Sequence, residues 1–171
     1  MRILPSKGGE VVGQMPDQMF ADLQTYYPAD QDSPYSGVEF LAWSPKASLS
    51  NYEQRVIKTL QPCLDAVIEA EERHIKLIEW TVSNGLVLPE ESQRTPAWHR
   101  DSFVGLTSRF ITASCLTTEI RGLEPAKPGE LVRLNGLKHR SPINHTKKPI
   151  LRTWVRAEVY CRPWKLRGFV S

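Results

Sequence analysis

Residues 150–162 read ILRTWVRAEVYCR. Side chains alternate along this stretch: Arg152, Trp154, Arg156, Glu158 and Tyr160 fall on one side of an extended chain. Leu151, Thr153, Val155, Ala157 and Val159 fall on the other. β-branched and aromatic residues fill it, so a long strand is expected. Its two faces differ in kind. One belongs against an apolar core. The other carries two arginines, which suits a polar cavity and would be costly against a dry interior.

Upstream, GELVRLNGL (129–137) alternates in the same way and ends in an Asn135-Gly136 turn, while SRFITASCLTTEI (108–120) is rich in β-formers. PAKPGE and SPIN are turn sequences between them. Before residue 95 the period is helical. SNYE at 50–53 is a capping box, in which Ser50 and Glu53 satisfy each other's backbone donors. Val56, Ile57, Leu60, Leu64, Val67, Ile68, Ile75 and Ile78 follow at helical offsets, and Asn84-Gly85 reads as a stop. Pro62 removes a backbone donor, so a pair of helices over 50–84 is expected. The first 47 residues carry Pro5, Pro16, Pro28, Pro34 and Pro45 and read as irregular, with a short helix at Asp17–Leu23 and a strand at Val38–Trp43. The expected class is α+β in a single domain over 1–171. It consists of an irregular segment (1–47), helical support (50–84) and an antiparallel sandwich or barrel (95–162).

With 171 residues, 40% hydrophobic and 24% charged, the chain can form one compact core. No apolar run approaches the roughly 20 residues that cross a bilayer. The opening MRILPSKGGEVVGQMP is too polar for a secretory signal, which points to the cytoplasm. Cys63, Cys115 and Cys161 are odd in number and widely spaced, so reduced thiols are expected and neither a disulfide framework nor a tetrahedral zinc site. The net charge of +3 is unevenly spread: residues 1–90 hold 7 Lys/Arg against 13 Asp/Glu, and residues 91–171 hold 15 against 6. A basic half suits either a solvated face or anionic partners, small carboxylates and nucleic acid among them. Neither GxxxxGK[ST] nor GxGxxG occurs, so nothing supports a nucleotide cradle.

The chemistry-bearing residues stand in a fixed order. In TPAWHRDSF (95–103), His99 and Asp101 are two apart and so share a face of an extended chain. His139 follows in PGELVRLNGLKHRSP (128–142), and Arg152 and Arg156 follow on the last long strand. Two imidazoles and one carboxylate on one side of a six-coordinate ion leave the other positions open, as oxygen activation by non-haem iron requires. An arginine fork grips a carboxylate through two charge-assisted hydrogen bonds.

This order, carried by WHRD, PGELVRLNG, KHRSP and PILRTWVR, resembles that of the Fe(II)/2-oxoglutarate-dependent dioxygenases. The resemblance spans about two fifths of the chain and implies a double-stranded β-helix, a jelly roll or cupin-like barrel, backed by the helix pair. It implies Fe(II) held by His99, Asp101 and His139. It further implies that 2-oxoglutarate is held by Arg152 or Arg156, with O₂ as the second cosubstrate. The reaction implied is hydroxylation of a substrate with decarboxylation of 2-oxoglutarate to succinate. The alternative is a non-catalytic cupin-like module that binds an anion or nucleic acid.

His145 in NHTKK is a rival third ligand, and His74 is expected in solvent. Arg109 and Arg133 are expected at the surface, Trp98 and Trp154 in the core. Thr117 and Thr118 fit either a strand or a ligand contact. The tail CRPWKLRGFVS mixes aromatics with cations, as nucleic-acid contacts do, and reads as a terminal cover strand or tail.

Overall fold

A computed structural model of the chain describes residues 8–29, 38–101 and 107–161. The elements are β1 (Val11–Gln14), α1 (Asp17–Tyr26), β2 (Val38–Trp43), α2 (Asn51–Thr59), α3 (Gln61–Ala70), β3 (Ile75–Val87), β4 (Thr107–Ala113), β5 (Glu119–Ile120), β6 (Glu130–Arg133), β7 (His139–Arg140) and β8 (Ile150–Cys161). The protein is α+β. Six strands form one antiparallel sheet in the order β1-β6-β4-β8-β3-β2, and β5 and β7 form a second, two-stranded sheet. Isolated bridges Ser92–Ile143 and His99–His139 attach the segment between β3 and β4 to this smaller sheet. From β3 to β8 the chain therefore alternates between the two sheets at every step.

The capping box forms as the sequence predicts: Glu53 N–H donates to Ser50 Oγ (3.2 Å) and Ser50 N–H to the Glu53 carboxylate (2.7 Å). The break at Pro62 also appears. α2 ends at Thr59, and Pro62 occupies the first turn of α3, where its missing donor costs nothing. Asn135 and Gly136 take positive φ (29° and 78°), the turn that dipeptide favours.

Two expectations fail. The helical support does not run to residue 84, because the second helix stops at Ala70 and residues 75–87 form β3, paired with β8 along its whole length. Ile78, Trp80 and Val82 are buried on alternate positions of that strand, opposite Val159, Ala157 and Val155. Asn84 is no helix stop. Lying inside β3 and fully buried, it donates to the carbonyls of Leu23 (3.0 Å) and Tyr27 (2.6 Å) and so ties the end of α1 to the sheet. The N-terminal segment is likewise more regular than its prolines suggest, since β1 pairs with β6 at the sheet edge. The tail beyond Cys161 lies outside the described residues.

The large sheet has two working faces. The helices cover one, burying Leu23, Leu60, Val67, Ile78, Trp80, Val155 and Val159 in the main core. The other faces the small sheet, and there a second cluster of Ile111, Ile120, Val132, Leu134 and Trp154 fills part of the gap. What remains of the gap is the cavity. No helix among the described residues is long and apolar enough to cross a membrane.

Candidate metal centre and its cavity

His99 and His139 face each other across their antiparallel bridge, exchanging both main-chain hydrogen bonds (3.0 and 2.9 Å). Their ring centroids lie 4.4 Å apart. Each imidazole places Nδ1 against the carbonyl two residues back: His99 on Ala97 (2.9 Å), His139 on Leu137 (3.0 Å). A carbonyl only accepts, so Nδ1 is the donor in both rings, and in the neutral imidazole this leaves the lone pair on Nε2. Asp101 sits between those lone pairs, 3.9 Å from His99 Nε2 and 3.6 Å from His139 Nε2. The three ligating atoms lie within 4.8 Å of one another, as a single coordination sphere requires.

The donor set suits a divalent ion. Ligating histidines ordinarily donate their second nitrogen to a backbone carbonyl or carboxylate, and both imidazoles here have a backbone carbonyl at Nδ1. Burial, with His99 and Arg109 close by, outweighs the Leu137 carbonyl and Asp101 and holds His139 below the ordinary imidazole value, in the neutral form a metal needs. His145 does not join them; 75% of its side chain is exposed, and it lies 3.4 Å from Glu90.

Arg109, expected at the surface, is inside. Its guanidinium bridges Asp101 (3.1 Å) and Glu158 (2.8 Å), the latter its direct neighbour across the β4–β8 pair. It thus fixes the orientation of the carboxylate between the imidazoles. Nothing local in the sequence signals this role, since Glu158 lies 49 residues away. Arg109→Met should weaken Co(II) binding by about 10–100-fold, the usual range for a residue that orients a ligand, measured by visible absorption titration. Arg133 is also buried; it donates to the Ala70 carbonyl and covers the Phe110 ring at 5.1 Å. Trp98, expected in the core, is 39% exposed under a stacked Arg140 guanidinium.

The triad opens on a cavity of about 300 Å³ between the two sheets. Its walls hold four guanidiniums, those of Arg94, Arg140, Arg152 and Arg156, and one carboxylate, Asp101. Arg152 is the most deeply held, 1% exposed. It donates through Nε to the carbonyls of Leu116 (2.8 Å) and Cys115 (3.2 Å) and through Nη1 to Gln93 (2.6 Å). Burial pulls it down to about 10, which leaves it charged at neutral pH. It forms no ion pair among the described residues, and its Nη2 is buried without an acceptor.

Gln93 is a residue that the sequence reading missed. Fully buried, it accepts from Arg152 and turns its amide nitrogen to Ser83, which fixes the plane of the guanidinium. Its only sequence signal is a polar residue amid turn-formers, which carries no weight alone. Thr118 lines the same cavity and is buried, whereas Thr117 donates to the Ala126 carbonyl (2.6 Å). Cys63, Cys115 and Cys161 are all free thiols, and His74 is exposed.

No protein-family model matches the chain, and no curated protein is similar to it at a significant level.

Proposed function

We propose that this protein is an Fe(II)- and 2-oxoglutarate-dependent oxygenase. His99, Asp101 and His139 hold the iron, and Arg152 holds the far carboxylate of the cosubstrate. The observation that carries the reading is the convergence of two imidazole lone pairs and one carboxylate within 4.8 Å, beside a cavity whose deepest cation lacks a counter-charge. The chain's alternation between two sheets supports it as well, because a strand-by-strand exchange between facing sheets is the path of a jelly roll.

Each group has a task that follows from its surroundings. Arg152 is immobilised by Gln93 and two carbonyls, so its free N–H is already aimed when an anion enters, and little ordering cost remains. Arg109 keeps Asp101 turned towards both imidazoles. The second apolar cluster, with Ile111, Leu134 and Trp154 in the cavity wall, limits water around the site and strengthens the charge interactions inside it. A ferrous ion bound there supplies oxygen activation, coupling decarboxylation of 2-oxoglutarate to succinate with hydroxylation of a substrate C–H bond.

The basic half of the chain also finds a place in this reading. Arg109, Arg133 and Arg152, three of its 15 basic residues, are turned inward, so part of its charge serves the interior.

Anaerobic addition of Fe(II) and 2-oxoglutarate should produce a weak visible charge-transfer band, and admission of air should release succinate. A protein that binds no divalent metal under these conditions sinks the enzyme reading. Anion binding that persists unchanged in His99→Ala and Asp101→Ala, with no succinate formed, would instead mark a non-catalytic binding module.

A further inference from the structure

In the reading proposed above Arg152 takes one carboxylate, and the cavity contains a second guanidinium, that of the half-buried Arg156, which also forms no ion pair among the described residues. Arg156 lies four residues further along the same face of β8, about 13 Å at ~3.3 Å per residue, with Trp154 between them.

The register places the two arginines at different ends of the site. Arg156 stands opposite Ile111 and Thr81, one step before the Arg109–Glu158 pair that holds Asp101. It is at the metal end. Arg152 stands opposite Gly85 and reaches Cys115 and Leu116, at the far end.

Arg156 is poorly satisfied. Among the described residues its one side-chain hydrogen bond runs from Nη2 to Thr81 Oγ1 at 3.4 Å, and its guanidinium lies 5.7 Å from the Trp154 ring. Nε is buried without an acceptor, and no carboxylate pairs with the group among the described residues. Glu158, the next acid on this face, is committed to Arg109. The Ser141 hydroxyl, in the wall of the same cavity, is also buried without a partner. Arg156 as a whole is half-buried, but its Nε and the Ser141 hydroxyl are buried donors left incomplete, which is costly unless a ligand completes them, and an oxyanion completes both.

We infer that the primary substrate carries an oxyanion group, a carboxylate, sulfonate or phosphate, which Arg156 binds beside the metal centre while Arg152 holds the cosubstrate. The division of labour between the two arginines rests on the function proposed above. The Arg156 site itself rests on the unfilled donors. Anchoring at this position sets the substrate's reactive carbon relative to the metal by the length of chain between that carbon and the anionic group. Substrate selection is then a matter of spacing from the charged end.

Zn(II)-loaded protein, inert to redox chemistry, can be labelled with ¹⁵N at its five tryptophans. The Trp154 indole resonance, assigned through Trp154→Phe, reports the space beside Arg156. With 2-oxoglutarate saturating, titration with acetate, methanesulfonate or inorganic phosphate should shift it saturably for at least one anion, without displacing the 2-oxoglutarate. Arg156→Met should weaken that binding at least about tenfold, since truncating one member of a buried charge pair costs more than 1.4 kcal/mol. Arg156→Lys should keep part of it. The inference is overturned if no anion binds, if each binds equally well to Arg156→Met, or if each competes with 2-oxoglutarate. If 2-oxoglutarate does not bind the wild-type protein but anions still titrate through Arg156, the cosubstrate reading falls and the anion site stands.

Discussion

His99→Ala should fold normally and lose affinity for Co(II) or Fe(II) by at least about 100-fold, the upper end of what disturbing an outer-shell partner alone produces. The two effects separate because different parts of the residue serve them. Pairing with His139 is made by main-chain atoms, which alanine retains. The imidazole is 36% exposed, and its Nδ1 bond to Ala97 closes only a local loop. Substitution at such a position changes stability by about 0.5 kcal/mol or less. His139→Ala is a less clean experiment, because that side chain is only 11% exposed and its loss opens space under the small sheet. Titration by visible absorption, with thermal unfolding alongside, measures both quantities. Unchanged metal affinity in His99→Ala would mean that the imidazoles converge for packing alone.

Arg152→Met should abolish useful 2-oxoglutarate binding, weakening it by about 30- to 4000-fold, the equivalent of the roughly 2–5 kcal/mol lost when a buried charge pair is truncated. The clearest readout is thermal. At about 100 times its dissociation constant a ligand stabilises its protein by about 2.7 kcal/mol, or roughly 5–10 °C for a chain of this size. Wild-type protein loaded with Zn(II) should show that gain on adding 2-oxoglutarate. The variant should not. Its stability without ligand is set by opposing terms. Methionine removes a buried charge that has no counter-ion, but it strips a donor from the carbonyls of Cys115 and Leu116 and from Gln93. Each orphaned acceptor costs about 1–3 kcal/mol, so the unliganded variant should melt below the wild type. Metal affinity should be unaffected, since Arg152 touches none of the three ligands. A full thermal gain with 2-oxoglutarate in Arg152→Met would move the clamp elsewhere in the cavity.

The cavity face of β8 illustrates what alternation can and cannot reveal. Period two assigned Arg152, Trp154 and Arg156 to one side, and that side does line the cavity. The apolar partners Val155 and Val159 do face the helices. The same rule, applied to Ile75 and Ile78, was masked by a helical offset continuing from Val67. Three residues suit both a turn of helix and, one position off, a strand. What settles them is the hydrogen-bonded partner β8, more than 70 residues away. The arginines show a second limit. Arg109 and Arg133 were assigned to the surface because arginine usually is exposed. Arg133 is buried and Arg109 largely so because Asp101, Glu158, the Ala70 carbonyl and the Phe110 ring happen to converge on them.

Local sequence was enough to determine the capping box at Ser50, the break at Pro62, the Asn135-Gly136 turn, the long final strand and the order His-x-Asp, His, Arg. These depend on neighbours within a few residues, whose sterics and hydrogen bonds act in any surroundings. Only the tertiary structure decided that residues 75–87 are a strand, that Trp98 stays outside, that Arg109 steers Asp101 and that Gln93 cages Arg152. Burying a charge or choosing between two periods is settled by free energy from distant partners, and no window along the chain contains them.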